Sequence, residues 1–140
     1  PMSLALQRTS VASLMHRSIC ESSQQVTSDE AKTLIEKDVR WYVIRDDANK
    51  PTHLVDGLDM MTHLENHIDN HTVYLLDDSL KIQPLAELHI QATLKQALNK
   101  MDDKKVNALF ISGYISGAYP DNGIVTRDDI VQYYQTPQSY

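Results

Sequence analysis

The chain has 140 residues, 41% of them hydrophobic and 23% charged, with a formal net charge of −6 and a pI near 5.4. That size fits one compact domain or two small ones sharing a core. An acidic balance without any Lys/Arg cluster excludes general nucleic-acid binding, which needs clustered cations to displace counterions.

The longest uncharged run, Val106 to Pro120, is too short to cross a bilayer and is interrupted by Asn107, Ser112, Gly113, Ser116 and Gly117. Cys20 is the single cysteine and cannot close an internal disulfide. Nothing resembles a signal peptide, so a reducing cytoplasmic setting is expected. His16 lies four residues before Cys20, but "MHRSICESS" offers no third orienting group and no nucleophile motif, so the thiol is read as buried or incidental. With 4 glycines in the chain there is no Gly-rich phosphate loop, and no enzymatic activity is assigned.

In chain order, Thr27-Ser28-Asp29-Glu30 predicts a capping box, and Ala31, Leu34 and Ile35 continue it as a helical stripe. A strand is predicted from Val39 through Trp41, Val43 and Ile44. The turn "RDDANKP", Arg45 to Pro51, leads to a second short strand at His53 to Val55. An amphipathic helix follows, with Leu58, Met61 and Leu64 on its apolar face. His63, His67 and His71 recur at spacings of four; on an unbroken helix neighbouring pairs could chelate a divalent metal. Weak helix formers surround them (Asn66, Asp69, Asn70), so the run is read as a solvated polar face and no metal site is assigned.

The same order then repeats. Thr93-Leu94-Lys95-Gln96 predicts a second capping box, Ala97, Leu98 and Met101 a stripe, and Val106, Ala108, Phe110 and Ile111 a strand. The turn "SGAYPDNG", Ser116 to Gly123, precedes a strand at Gly123 to Val125 and a helix carrying Ile130, Val131 and Tyr134. Tyr114, Tyr119, Tyr133 and Tyr134 lack basic neighbours and are read as core and interface residues. Neither half can bury a robust core alone, so the two are expected to pack sheet against sheet with helices outside.

Two such lobes in tandem, the second carrying "GIVTRDD" before its last helix, resemble a pair of cystathionine-β-synthase (CBS) domains, a Bateman module. More narrowly, "WYVIRDDANKPTHLV", "LAELHIQATLKQAL" and "GIVTRDDIVQYY" resemble the cytoplasmic C-terminal CBS pair of bacterial chloride channel and transporter proteins. The resemblance implies an α/β (α+β) fold of two βαββα repeats, residues 8–70 and 82–136, joined by a linker at 71–81. It also implies a regulatory rather than catalytic role, with AMP, ADP or ATP as ligand in a cleft between the lobes. A homodimer and a transmembrane transport domain of the same full-length chain would be its partners. Pro1-Met2 suggests a piece cut from something longer, with a multi-span segment upstream and Tyr140 close to the true C-terminus.

The family's ligand motif is a glycine, two apolar residues, Ser or Thr, two variable residues and Asp. Gly123, Ile124, Val125, Thr126 and Asp129 match it in full. Asp129 would accept bonds from the ribose hydroxyls, Thr126 would face a phosphate oxygen, Arg127 would add charge, and Ala108 would offer a small surface to the adenine. In the first repeat the run His53 to Asp59 keeps Asp59, but Asp56 replaces the hydroxyl, and a carboxylate repels phosphate. From the residues alone, Thr126 and Asp129 serve equally well as a helix start, and Asp59 as a solvated first-turn carboxylate.

Overall fold

The computed structural model describes residues 2–114 and 120–135. Pro1, Tyr119, part of the predicted Ser116–Gly123 turn and the segment ending in Tyr140 lie outside them. In chain order the elements are α1 (Met2–Arg8), a 3-10 turn (Val11–Ser13), β1 (Ile19–Ser23), β2 (Gln25–Thr27), α2 (Ser28–Glu36), β3 (Trp41–Arg45), β4 (Pro51–Asp56) and α3 (Gly57–His67). Then come β5 (Thr72–Tyr74), β6 (Gln83–Pro84), β7 (Ala86–His89), α4 (Leu94–Lys104), β8 (Ala108–Ser112), β9 (Gly123–Thr126) and α5 (Arg127–Gln135). The α+β class and the strand-helix-strand-strand-helix order of both repeats are therefore observed. No described helix is long and apolar enough to cross a membrane.

Two compact units are present, Ser18–Pro84 and a second made of the residues up to Arg17 with those from Leu85 on. The first holds a sheet of order β1-β3-β4-β6, in which β1 and β3 run parallel and the other pairs antiparallel. A separate antiparallel ribbon pairs β2 with β5, Val26 opposite Val73. The helices α2 and α3 set Ala31, Leu34, Met60 and Leu64 against Tyr42, Ile44 and Val55 in one apolar cluster. Tyr42 is fully buried, and its hydroxyl donates to the Leu34 carbonyl at 2.6 Å, so the polar tip of the ring is satisfied.

The predicted capping box of α2 is present in both directions. The Thr27 hydroxyl accepts from Glu30 N–H at 3.2 Å and the Glu30 carboxylate from Thr27 N–H at 3.1 Å. The apolar face of α3 differs from the predicted Leu58, Met61 and Leu64. Leu64 is buried, but Leu58 is 75% exposed, and the inward residues are Gly57, Met60, His63 and Leu64. The helix starts at Gly57, whose N–H donates to the Arg40 carbonyl at 2.9 Å, and that contact sets the rotation of the whole helix. The helix ends at His67, so the three-histidine column ends there too.

The second unit contains the sheet β7-β8-β9, with β7 and β8 parallel and β8 and β9 antiparallel. Thr93 and Gln96 cap α4 in both directions, as predicted. Its core joins Leu94, Ala97, Met101, Leu109, Ile111, Val125 and Ile130 to Val11 and Met15. Residues 8–17, set with the first repeat in the sequence reading, are thus part of the unit that contains the second. Long-range pairing is the reason: Ser10 bridges Thr93, and His16 exchanges both backbone hydrogen bonds with Ile124, at 2.8 and 3.0 Å. Likewise β6, at the start of the predicted second repeat, belongs to the Ser18–Pro84 unit, where it pairs with β4.

Candidate functional site

Three elements of the second unit build the site. In the antiparallel register of β8 and β9, Ala108 stands opposite Thr126, the last strand residue before α5 begins. Thr126 and Asp129 bond each other reciprocally. The Thr126 N–H donates to Asp129 Oδ2 at 2.8 Å, and the Asp129 N–H donates to Thr126 Oγ1 at 3.1 Å. This is the capping-box arrangement with Asp as the reaching carboxylate, and it satisfies two helix-start donors.

The other carboxylate oxygen of Asp129 is held by a residue that sequence reasoning did not connect to it. His16 Nε2 lies 3.0 Å from Asp129 Oδ1, with the His16 and Asp129 side chains 42% and 21% exposed. A carboxylate only accepts, so this ring nitrogen is the donor. His16 reaches the site because its backbone pairs with Ile124 on the free edge of β9. Gly123 makes that approach tight: a Cβ there would sit 2.9 Å from the His16 carbonyl oxygen. The next residue, Arg17, ties the segment down with a bidentate pair to Asp121, Nε donating to Oδ1 at 3.0 Å and Nη2 to Oδ2 at 2.9 Å.

Arg127 is turned to its own neighbours. Its Nε donates to Asn107 Oδ1 and its Nη2 to Asp102 Oδ1, both at 2.9 Å, and its backbone N–H donates to the Asn107 carbonyl. The charge proposed for a ligand is thus already paired. Ala108 is fully buried.

The first repeat repeats the register with different chemistry. Trp41 stands opposite Asp56 where Ala108 stands opposite Thr126. Asp56 caps α3, with Oδ2 accepting from Leu58 N–H at 3.0 Å, and its Oδ1 takes Arg40 Nη1 at 2.6 Å. The Arg40 guanidinium lies 4.2 Å from the centre of the Trp41 ring, a cation–π contact. The acid that breaks the motif therefore has a structural employment, and an indole fills the position of the small residue. The Trp41 Nε1 is buried and has no hydrogen-bond partner among the described residues. Asp59 takes part in none of this through its carboxylate.

Two other sequence candidates resolve plainly. His63 and His67 stand with ring centres 4.4 Å apart, but no group of three His, Cys, Asp or Glu among the described residues could hold a metal ion. Cys20 is half-buried on β1, and burial pushes its thiol up from the ordinary value despite the opposing charge of Lys37. A raised thiol holds less thiolate at neutral pH and is a poorer nucleophile.

No protein-family model matches the sequence, and no curated protein matches it. Solved structures do match over nearly the whole chain. The CBS domain of a CBS-domain-containing membrane protein from Sphaerobacter thermophilus aligns at 13% identity and TM-score 0.55, covering 94% of this chain and 91% of its own. A hemolysin-like protein containing a CBS domain from Oenococcus oeni aligns at 12% and 0.55, covering 94% and 93%. The CBS domain of a bacterial CNNM/CorC-family Mg2+ transporter in complex with ATP aligns at 15% and 0.54, covering 94% and 90%. The fold is that of a tandem CBS-domain pair.

Proposed function

We propose that this chain is the regulatory CBS pair of a membrane transport protein, and that it senses an adenine nucleotide through Thr126 and Asp129. The observation that carries this reading is the state of Asp129. Its carboxylate stands at the start of α5 beside a hydroxyl, and among the described residues Oδ1 is held by the half-exposed His16 ring. A ribose diol can replace that donor with hydroxyl donors of its own, so entry of the ligand exchanges one charge-assisted bond for others. Fold likeness to a CBS domain that carries ATP supports the ligand class. Likeness to the CBS domain of a transporter supports the host, and the stretches Trp41–Val55, Leu85–Leu98 and Gly123–Tyr134 favour one of the chloride type.

Titration calorimetry with AMP, ADP and ATP tests the assignment. The wild-type chain is expected to bind at least one of them and to gain thermal stability from it. Asp129→Ala should abolish that ligand-induced gain, and so should Asp129→Asn, which keeps a capping oxygen. Asp59→Ala should leave it nearly unchanged. Equal loss from the Asp129 and Asp59 variants would place the site wrongly, and no heat with any nucleotide would remove the sensing role.

A second reading, a ligand-free module that braces and dimerises its host, is favoured by the reciprocal bonds between Thr126 and Asp129, which are complete without a ligand. Both readings share a homodimer, with α5 offering Val131 at 40% exposure. Light scattering at high micromolar concentration should give twice the chain mass; a monomer mass would refute it.

A further inference from the structure

In the unit that contains the second repeat, the segment from Thr9 to Arg17 is tied to its neighbours by bonds that do not involve the His16 ring. The His16 N–H donates to the Ile124 carbonyl at 2.8 Å, and the His16 carbonyl accepts from Ile124 N–H at 3.0 Å. Upstream, the Val11 N–H donates to the Ala92 carbonyl at 2.9 Å, and Thr9 Oγ1 lies 3.3 Å from the Tyr133 hydroxyl. Downstream, the Arg17 guanidinium grips Asp121. The start of α5 is complete as well, since Thr126 and Asp129 satisfy each other's N–H. Neither the segment nor the helix needs the bond from His16 Nε2 to Asp129 Oδ1.

A pair as open to solvent as this one contributes little to stability. It does, however, cover the carboxylate oxygen that a ribose diol would use. The Thr126 N–H already occupies Oδ2, and the Asp129 side chain is 21% exposed, with the His16 ring as part of its cover. A diol that bridges the two oxygens must take the place of that ring. The first repeat supplies the contrast. Its capping carboxylate, Asp56, is covered by Arg40, whose guanidinium is always charged and is also seated over the Trp41 ring. An imidazole holding Asp129 by one nitrogen, with 42% of its side chain open to solvent, can turn aside about its own χ angles while its backbone stays paired with Ile124.

We propose that His16 is an autoinhibitory latch on the Asp129 site: its ring closes Oδ1 until the ribose of a nucleotide displaces it. The inference rests on the nucleotide reading of Thr126 and Asp129 and adds the residue that regulates that site. Each binding event must first undo the latch, so affinity is lower than the motif alone would give. The loss is about two- to fivefold, the range set by a partly exposed pair. Because the backbone bonds of the segment are independent of the ring, opening the latch leaves the fold of the unit intact.

Calorimetric titration of the intact chain with AMP, ADP and ATP, run on wild type, His16→Ala and His16→Gln, tests it. His16→Ala should bind about two- to fivefold tighter than wild type with an unchanged circular dichroism spectrum. His16→Gln, whose amide restores an N–H donor, should bring affinity back near the wild-type value. In nitrogen-15 NMR of the wild-type histidine rings, the His16 Nε2 resonance should shift as the nucleotide saturates the protein. Equal or weaker binding by His16→Ala overturns the latch, and so does a gain in His16→Gln as large as that in His16→Ala. A His16 resonance that stays in place at saturation overturns it too, even if His16→Ala fails to fold. With heat from the wild-type chain, each of these results leaves the nucleotide reading standing; no heat from any of the three chains defeats that reading, and the latch with it.

Discussion

Gly57→Ala is expected to cost about 3 kcal/mol or more, although it adds one methyl group to a helix and gains helix propensity. The reason is where the methyl must go. A Cβ on Gly57 would lie 2.1 Å from the Val39 carbonyl oxygen and 3.1 Å from that of Arg40. Both are backbone atoms at the entrance to β3, and neither can swing aside as a side chain would. Relief requires α3 to lift from the segment before β3, which breaks the hydrogen bond from Gly57 N–H to Arg40 and disturbs the packing of Met60 and Leu64. Urea denaturation measures the effect. A loss under about 1 kcal/mol would show that this entrance is softer than the contacts imply.

Leu64→Ala should destabilise by about 3 kcal/mol, whereas Leu58→Ala should stay within about 0.5 kcal/mol. The two leucines sit on the same helix and read as one apolar stripe in the sequence. Leu64 is fully buried in the cluster with Tyr42, Ile44 and Val55, so truncation leaves a cavity as well as a lost transfer term. Leu58 is 75% exposed and has little burial to lose. Paired denaturation curves decide it, and similar costs for the two would mean that α3 is rotated from the position described.

That pair also shows what a sequence carries and what it does not. The two capping boxes were legible, because Thr followed three residues later by Glu or Gln is a local pattern with a local cause. The strands β3, β4, β8 and β9 were legible from apolar runs between turns. The rotation of α3 was not, since Leu58 and Met61 keep the same helical spacing as the true face. What selects the face is the seating of Gly57 against the Val39 and Arg40 carbonyls, 18 and 17 residues away in the chain. The ribbon of β2 and β5 was missed because three-residue strands have too little pattern to register.

At the candidate site, Thr126 and Asp129 were named correctly as neighbours of a helix start, and their reciprocal bonds bear that out. His16 was not connected to them. It lies 113 residues from Asp129, in a segment whose only visible feature was a cysteine four residues on. No local signal announces such a contact; the edge pairing with Ile124 creates it. Arg127 was read by charge alone, and its partners Asn107 and Asp102 come from the end of α4 and the approach to β8, which spacing does not reveal.

The split of one unit across the chain has a consequence for synthesis. During translation Val11, Met15 and His16 leave the ribosome long before Ile124 and Asp129 exist, and loop closure over such a span cannot begin until those residues appear. The segment Ser18–Pro84 has no such wait, since its sheet and apolar cluster are drawn from contiguous sequence. One unit can therefore close on the nascent chain while the apolar side chains that precede it stay wet, so the interval before the other unit forms is when those side chains are open to capture by chaperones or by other nascent chains.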